Sequence, residues 1–143
     1  MLVNIERSQE RGLEYKLKFI DDDDFGMINL DGSGILDDNE PEFQRIKHID
    51  DLIIVEKNIN IFYPAYDIYF KQNYSSETGF TLKKILQLIN KTGYNFHYDD
   101  YLRYPEHYTT IVNTAEDAAD CIGEYAVCSF YIDNNNIYVE INH

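Results

Sequence analysis

The sequence predicts an α+β fold, in which a mainly antiparallel sheet carries two or three helices on one face. Most of the chain consists of short apolar stretches with the two-residue period of strands, and two other stretches carry helix caps. At 143 residues the chain has the size of one domain, and it contains no repeat and no linker rich in glycine, serine or proline. We therefore expect residues 1–143 to form a single α+β domain.

The first third of the chain predicts three strands and a short helix. Residues 13–20 alternate between apolar and charged side chains, which is typical of a half-buried strand. Residues 26–30 and 35–38 flank the sequence Asp-Gly-Ser-Gly, so we expect two short strands joined by a glycine turn. Pro41 then marks the start of a short helix.

The middle of the chain predicts a meander of three strands. Residues 52–56 and 59–63 are rich in isoleucine and aromatic residues and lie on either side of Lys57-Asn58, which indicates a hairpin. Pro64 is expected to interrupt the ladder before residues 66–70 resume it.

Two segments carry the signals of capped helices. Thr81 is the N-cap of an amphipathic stretch that Gly93 is expected to end. Thr114 is the N-cap of a second, shorter helix that ends before Gly123.

A C-terminal hairpin completes the predicted fold. Residues 125–132 and 137–141 are rich in β-branched and aromatic residues, and the Asp-Asn-Asn-Asn sequence between them suits a tight turn.

The charge of the chain limits its function. Twenty-six acidic residues stand against twelve basic ones, a formal net charge of −14, which disfavours nucleic acid and anionic membranes and favours a partner with a basic surface. The apolar fraction of 44% nevertheless indicates a folded protein. The N-terminal residues lack the pattern of a signal peptide, and no apolar run is long enough to span a bilayer, so we expect a cytoplasmic protein. The composition, rich in Ile, Asn, Tyr and Asp, suits an AT-rich genome such as that of a giant DNA virus or a low-GC microbe.

One loop resembles the calcium-binding loop of EF-hands. Oxygen-bearing residues recur at the required spacing, with a glycine for the bend and a closing glutamate. The surrounding sequence does not show the two flanking helices, so a turn in an acidic hairpin is the alternative. If the loop binds an ion, we expect it to do so at the tip of a hairpin. The predicted ligands are Asn29, Asp31, Ser33, Asp37 and Glu40.

A second cluster of polar residues lies within a tyrosine-rich segment, residues 94–108. His97, Asp99, Asp100 and His107 are candidates for a metal site or an acid–base pair. The alternative is an amphipathic helical segment that packs its tyrosines inward and exposes these four residues.

No catalytic signature accompanies these clusters. The two cysteines show no nucleophile motif and, in a reducing compartment, are expected to be thiols, and no serine elbow or phosphate-binding glycine loop is present. The sequence therefore favours a non-enzymatic, acidic protein-binding domain that neutralises or regulates a basic partner, in the manner of immunity proteins, antitoxins or DNA mimics. A small calcium-binding protein, and a metal-dependent or acid–base enzyme, are the alternatives. No cofactor other than calcium is expected.

Overall fold

The structure is a computed structural model that describes residues 1–6, 12–109 and 111–142. Its strands are β1 (Leu2–Val3), β2 (Leu13–Lys16), β3 (Ile28–Asn29), β4 (Leu52–Ile54), β5 (Asn58–Ala65), β6 (Ile68–Ser75), β7 (Phe80–Thr81), β8 (Ala126–Val127), β9 (Ser129–Asp133) and β10 (Asn136–Val139). The helices are α1 (Leu82–Arg103) and α2 (Ala115–Asp120), with 3₁₀ helices at Pro41–Arg45, Pro105–His107 and Cys121–Glu124. The predicted α+β class is confirmed.

Six of the strands form the main sheet within the described ranges. Their order is β1-β6-β5-β10-β9-β2, and neighbouring strands are antiparallel except β5 and β10. The parallel pair places residues 60–62 opposite residues 136–138. Both faces of β5 are buried: Ile59, Ile61 and Tyr63 face the main core, whereas Phe62 stacks on Tyr138 on the opposite face.

Helix α1 packs against β5 and β6 and begins as predicted. The Thr81 hydroxyl accepts a hydrogen bond from the Lys84 backbone N–H at 3.2 Å, which satisfies one of the unpaired donors of the first turn. Residues Leu82, Ile85 and Ile89 of the apolar face are fully buried.

None of the helices in the described part of the chain combines the length and apolar character that a membrane span requires.

Gly93 does not end this helix, contrary to the prediction. The helix continues to Arg103, and Gly93 lies where the backbone approaches a buried ring of the sheet. A Cβ atom at position 93 would lie 2.6 Å from Cε2 of Tyr63. The glycine is therefore required by packing and not by termination.

Replacing Gly93 with alanine is expected to lower the free energy of unfolding by about 1 to 2 kcal/mol. The added methyl group must displace a ring that Phe96 and His97 hold in place, and this overpacking outweighs the better helix propensity of alanine. Urea unfolding measures the effect. In a Tyr63→Leu background the same substitution should become neutral or stabilising, because the ring is gone; a loss of the same size in both backgrounds would contradict the packing argument.

Two predicted strand pairings are wrong. Residues 35–38 form no strand, and β3 pairs with β8, so the expected hairpin around the glycine turn is absent. Strand β4 pairs with β7, so the predicted hairpin of residues 52–56 with residues 59–63 is wrong, and the three-stranded meander is not formed. The second pairing of that meander is confirmed, because β5 and β6 are antiparallel neighbours. Pro64 lies inside β5, and the chain turns at Tyr66 instead. The parallel partner β10 pairs only with residues 60–62, so the N–H that Pro64 lacks lies beyond that ladder.

The last two predicted elements are confirmed. The Thr114 hydroxyl caps α2 by accepting a hydrogen bond from the Asp117 N–H at 3.0 Å. Strands β9 and β10 form the C-terminal hairpin, and Asn134 in its turn has a φ of 56°, which asparagine tolerates better than most residues. Both cysteines are free thiols.

Candidate functional site

The loop that resembles a calcium site is held by local hydrogen bonds. Both the backbone N–H and the side-chain amide of Asn29 donate to the Glu42 carboxylate at 2.9 Å. Asp31 Oδ1 accepts from the Ser33 N–H at 2.8 Å, which is an Asx turn. The fully buried Asn90 side chain clamps the backbone of Asp31, at 2.7 Å to its N–H and 3.2 Å to its carbonyl. Of the five predicted ligands, Asp31 and Ser33 thus already use a side-chain oxygen within the loop.

The setting of the loop differs from the predicted acidic hairpin. It lies between β3 and a 3₁₀ helix, so it is neither flanked by EF-hand helices nor at the tip of a hairpin. Across residues 1–6, 12–109 and 111–142, no group of three or more His, Cys, Asp and Glu side chains is arranged to hold a metal ion. Calcium binding by Asn29, Asp31, Ser33, Asp37 and Glu40 stays a prediction, which thermal unfolding in calcium and in chelator can test.

The second predicted cluster comes together in three of its four members. His97 and Asp100 lie three residues apart on α1 and so share a face of the helix. Pro105 follows the end of α1, and the 3₁₀ helix Pro105–His107 returns His107 to the same place. Asp99 is exposed on another side of the helix. The tyrosines of this segment pack inward only in part, because Tyr94 contacts the main core whereas Tyr104 is exposed. Phe96 and Asp100 occupy the buried positions, so Asp100 is not exposed as that alternative expected.

Asp100 is the centre of this cluster. Its side chain is 6% exposed, and its Oδ2 atom accepts hydrogen bonds from the Tyr66 hydroxyl at 2.8 Å and the Tyr108 hydroxyl at 3.1 Å. His107 Nδ1 lies 3.1 Å from the same oxygen. Two separate segments of the chain thus place three donors around one buried carboxyl group, as buried polar groups require.

No sequence pattern indicates Tyr66 as a member of the site. It lies 34 residues before Asp100, in the turn between β5 and β6, and has a φ of 61°. A left-handed φ is unusual for a tyrosine and costs roughly 1 kcal/mol, which the hydrogen bond to Asp100 offsets. The strained turn directs the Tyr66 hydroxyl to the cluster although 59% of the residue is exposed.

His97 lies beside this network in a definite protonation state. Its Nδ1 atom is 2.9 Å from the Tyr108 hydroxyl. Because the single proton of that hydroxyl goes to the stronger acceptor, the Asp100 carboxyl, Nδ1–H of His97 donates to Tyr108. Burial lowers the pKa of His97 to about 4, against a smaller opposing influence of Asp100, so the ring is neutral near pH 7. Its Nε2 atom is therefore an acceptor, and it is buried without a hydrogen-bond partner among the described residues.

A cleft of about 940 Å³ opens beside the cluster. Its interior is aromatic, formed by rings that surround His97, and its rim carries the exposed acids Asp117, Asp120 and Glu124. No lysine or arginine lines it within the described part of the chain. The surrounding rings are Tyr63, Phe96, Tyr108 and Tyr125, whose centroids lie 5.0 to 6.1 Å from that of His97.

The potential nucleophiles in the cleft are in their protonated forms. Burial, with the neighbouring acids Glu124 and Asp120, raises the pKa of the Cys121 thiol to about 11. Burial raises the pKa of Tyr66 and Tyr108 as well, and Asp100 raises both further. A thiol and phenols that keep their protons are weak nucleophiles, so the arrangement suits binding by hydrogen bonds and charge better than covalent catalysis.

Comparisons with family models, with curated proteins and with solved structures found no match to this chain.

Proposed function

We propose that this protein is an intracellular, non-enzymatic protein-binding domain that neutralises or regulates a partner with a basic surface, in an immunity-protein, antitoxin or DNA-mimic-like role. The observation that carries the proposal is an exposed face on which three separate segments of the chain gather their aspartates. We call it the aspartate face, and all eight of its members are exposed: Asp21, Asp22, Asp23, Asp24, Asp37, Asp38, Asp50 and Asp51.

Contacts between the segments hold the aspartate face together. An isolated bridge between Phe19 and Ile46 joins the start of the first segment to the chain after the Pro41–Arg45 helix. Lys47 forms an ion pair with Asp23. Lys83 lies 3.4 Å from the Asp38 carbonyl and 3.5 Å from Asp50 Oδ1, so one side chain links the other two segments. The acids are thus concentrated on a folded surface and not scattered along a flexible tail.

A concentrated acidic surface supports this role through long-range attraction. An excess of negative charge on one face accelerates encounter with a positively charged partner and suppresses association with nucleic acid and other anions. Such attraction is screened at high ionic strength, since the Debye length falls from about 10 Å at 0.1 M salt to about 3 Å at 1 M. A basic partner and a marked salt dependence are therefore expected together.

Affinity capture from the source cell at about 50 mM and about 500 mM salt tests the proposal. The bait is compared with a variant in which Asp21, Asp22, Asp23 and Asp24 become asparagine. A matched control removes the same number of exposed acids elsewhere, by Glu56→Gln, Glu77→Gln, Asp99→Asn and Asp133→Asn.

The expected result is a basic protein whose capture falls with salt and with the Asp21–24 variant but much less with the control. Capture that is indifferent to salt, or equal for the two variants, would reject the aspartate face as the binding surface. Failure to enrich any basic protein would reject the proposed function itself.

A second candidate function is acid–base chemistry in the cleft, because Asp100 fixes Nδ1 of His107 and leaves its Nε2 to meet a substrate. Hydrolysis of 4-nitrophenyl acetate by the wild type, by His107→Gln and by His48→Gln provides the test. His48 is an exposed histidine outside the cleft, paired with Asp51. A general base contributes about a hundredfold or more, so only the His107 variant should lose activity. Equal rates for all three proteins would remove this candidate.

A further inference from the structure

The cleft beside Asp100 carries a second and separate signal, because it is acidic and aromatic at the same time. Its rim acids lie at α2 and the 3₁₀ helix that follows, on elements other than those that carry the aspartate face. Lysine and arginine are absent from its lining within the described residues, although the chain has twelve of them. A cation entering the cleft therefore meets carboxyl groups and, among the described residues, no lysine or arginine.

The aromatic rings of the cleft favour a cation with a flat shape. The negative faces of tyrosine and phenylalanine rings attract cations within about 6 Å of the ring centre, and a planar guanidinium can also stack on them. Tyr108 and Tyr125 are only partly buried, so both contribute exposed ring surface to the cleft. An ammonium group gains the charge attraction but not the stacking.

His97 adds a requirement for hydrogen-bond donors. Its Nε2 atom is a buried acceptor that lacks a partner among the described residues, and His97 lines the cleft. A buried acceptor without a donor is costly, so a ligand that brings an N–H to this atom gains more than an ordinary hydrogen bond. Guanidinium brings five N–H donors in one plane, whereas a quaternary ammonium brings none.

We propose that this cleft binds the guanidinium group of an arginine side chain presented by the partner protein. The inference rests on the proposed function for the source of the arginine, but the pocket itself is defined by its own residues. The ring surfaces of Tyr108 and Tyr125 hold the guanidinium plane, Asp117, Asp120 and Glu124 supply the opposing charge, and His97 Nε2 accepts one N–H.

Small-molecule probes test the pocket without any protein partner. Protein labelled with ¹⁵N on its histidine rings is titrated with N-acetyl-arginine amide, N-acetyl-citrulline amide and tetramethylammonium, while the ring nitrogen signals of His97 are followed. Citrulline has the shape of arginine without its charge, and tetramethylammonium has the charge without any donor. We expect the arginine probe to shift the His97 Nε2 signal in a saturable manner and to bind about tenfold or more tightly than either of the others.

Matched variants then locate the binding. Asp117→Asn, Asp120→Asn and Glu124→Gln together should weaken binding of the arginine probe about tenfold or more, whereas Glu56→Gln, Glu77→Gln and Asp133→Asn together should change it less than about twofold. Far-ultraviolet circular dichroism shows that each variant is folded. His97→Phe retains an aromatic ring but removes the acceptor, so it should weaken the arginine probe, followed here by tyrosine fluorescence, and leave tetramethylammonium unchanged.

Three results would overturn the proposal: no saturable shift with the arginine probe, equal binding of citrulline, or equal binding of tetramethylammonium. The wild-type comparison stands even if a variant does not fold. Arginine binding without capture of any basic protein would reject the proposed function and keep the pocket. Capture of a basic protein without arginine binding would reject the pocket and keep the proposed function.

Discussion

Replacing Asp100 with alanine is expected to lower the free energy of unfolding by about 3 kcal/mol. The substitution removes the common acceptor of Tyr66, Tyr108 and His107. Hydrogen bonds to a charged group contribute roughly 1.5 to 3 kcal/mol each, and the three are not additive because they share one oxygen. Tyr66 and His107 can turn to water, whereas the partly buried Tyr108 keeps contacts with His97 alone among the described residues, at 3.3 Å to its carbonyl and 2.9 Å to its Nδ1.

Asp99 provides a matched control for this measurement. It lies next to Asp100 near the end of the same helix, so an aspartate-to-alanine change has almost the same effect there on helix propensity and on the helix dipole. Asp99 is exposed, and its replacement should change stability by less than about 0.5 kcal/mol. Urea unfolding of the two variants measures the difference. Similar losses for both would show that the Asp100 network contributes little to the fold.

Conservative replacements separate the charge of Asp100 from its shape. Asp100→Asn keeps one oxygen as an acceptor for the tyrosine hydroxyls and should cost less than Asp100→Ala. Tyr66→Phe removes a single donor, at 2.8 Å, and also frees the left-handed turn from its tether. If the network acts as a unit, Tyr66→Phe should cost much less in the Asp100→Ala background than in the wild type.

Local signals explain the parts of the fold that the sequence predicted well. The caps at Thr81 and Thr114 and the Asn134 turn depend on residues within four positions of one another, and the structure places them as expected. The α+β class follows from the same local patterns summed over the chain.

Pairings between distant segments could not be predicted in the same way. The ladders β3–β8, β4–β7 and β5–β10 join strands separated by 25 to 100 residues, and no turn signal records which strands meet. Gly93 shows the same limitation at one residue. Its neighbour Tyr63 lies on another element, so a glycine needed for close packing had the same local appearance as a helix stop.

The candidate site likewise combines residues that a local pattern predicts with residues that only the fold brings together. His97 and Asp100 lie one helical turn apart and His107 follows a proline break, so a short segment contained most of the cluster. Tyr66 comes from a different hairpin, and the rim acids come from α2, so neither could be associated with the histidines before the fold was known. The loop at Asn29 shows the opposite case, in which a local pattern suggests a site. Its residues have the spacing of calcium ligands, but the Asn29 and Asp31 side chains form hydrogen bonds with nearby residues.

The buried His97 should make the protein less stable below neutral pH. Its pKa is about 4 in the folded protein and about 6.5 in the unfolded chain, so between these values the unfolded state binds the additional proton. The stabilisation is fully present above pH 6.5 and is lost progressively as the pH falls toward 4. From about pH 7.5 to about pH 5 the expected loss is about 2 kcal/mol.

The many carboxyl groups also take up protons in this pH range, which relieves the repulsion within a strongly acidic protein and changes its stability. Comparing the stability of the wild type with that of His97→Phe at each pH separates the contribution of His97 from theirs. The groups that face His97 come from several elements, and they are retained in the variant: Asp100 of α1, Tyr63 of β5, Tyr108, Cys121 and Tyr125. The stability of His97→Phe should therefore change with pH only as the carboxyl groups dictate, without the additional loss that His97 causes. His48→Gln, at an exposed site, should follow the wild type.

Urea unfolding at a series of pH values distinguishes the two outcomes. The curves of free energy against pH for the wild type and for His97→Phe should converge by about 2 kcal/mol between neutral pH and pH 5. Parallel curves would mean that His97 takes up its proton in the folded state as easily as in the unfolded chain. Its Nε2 would then not be a buried neutral acceptor, and the cleft would lose the feature that selects a donor-bearing cation over a quaternary ammonium.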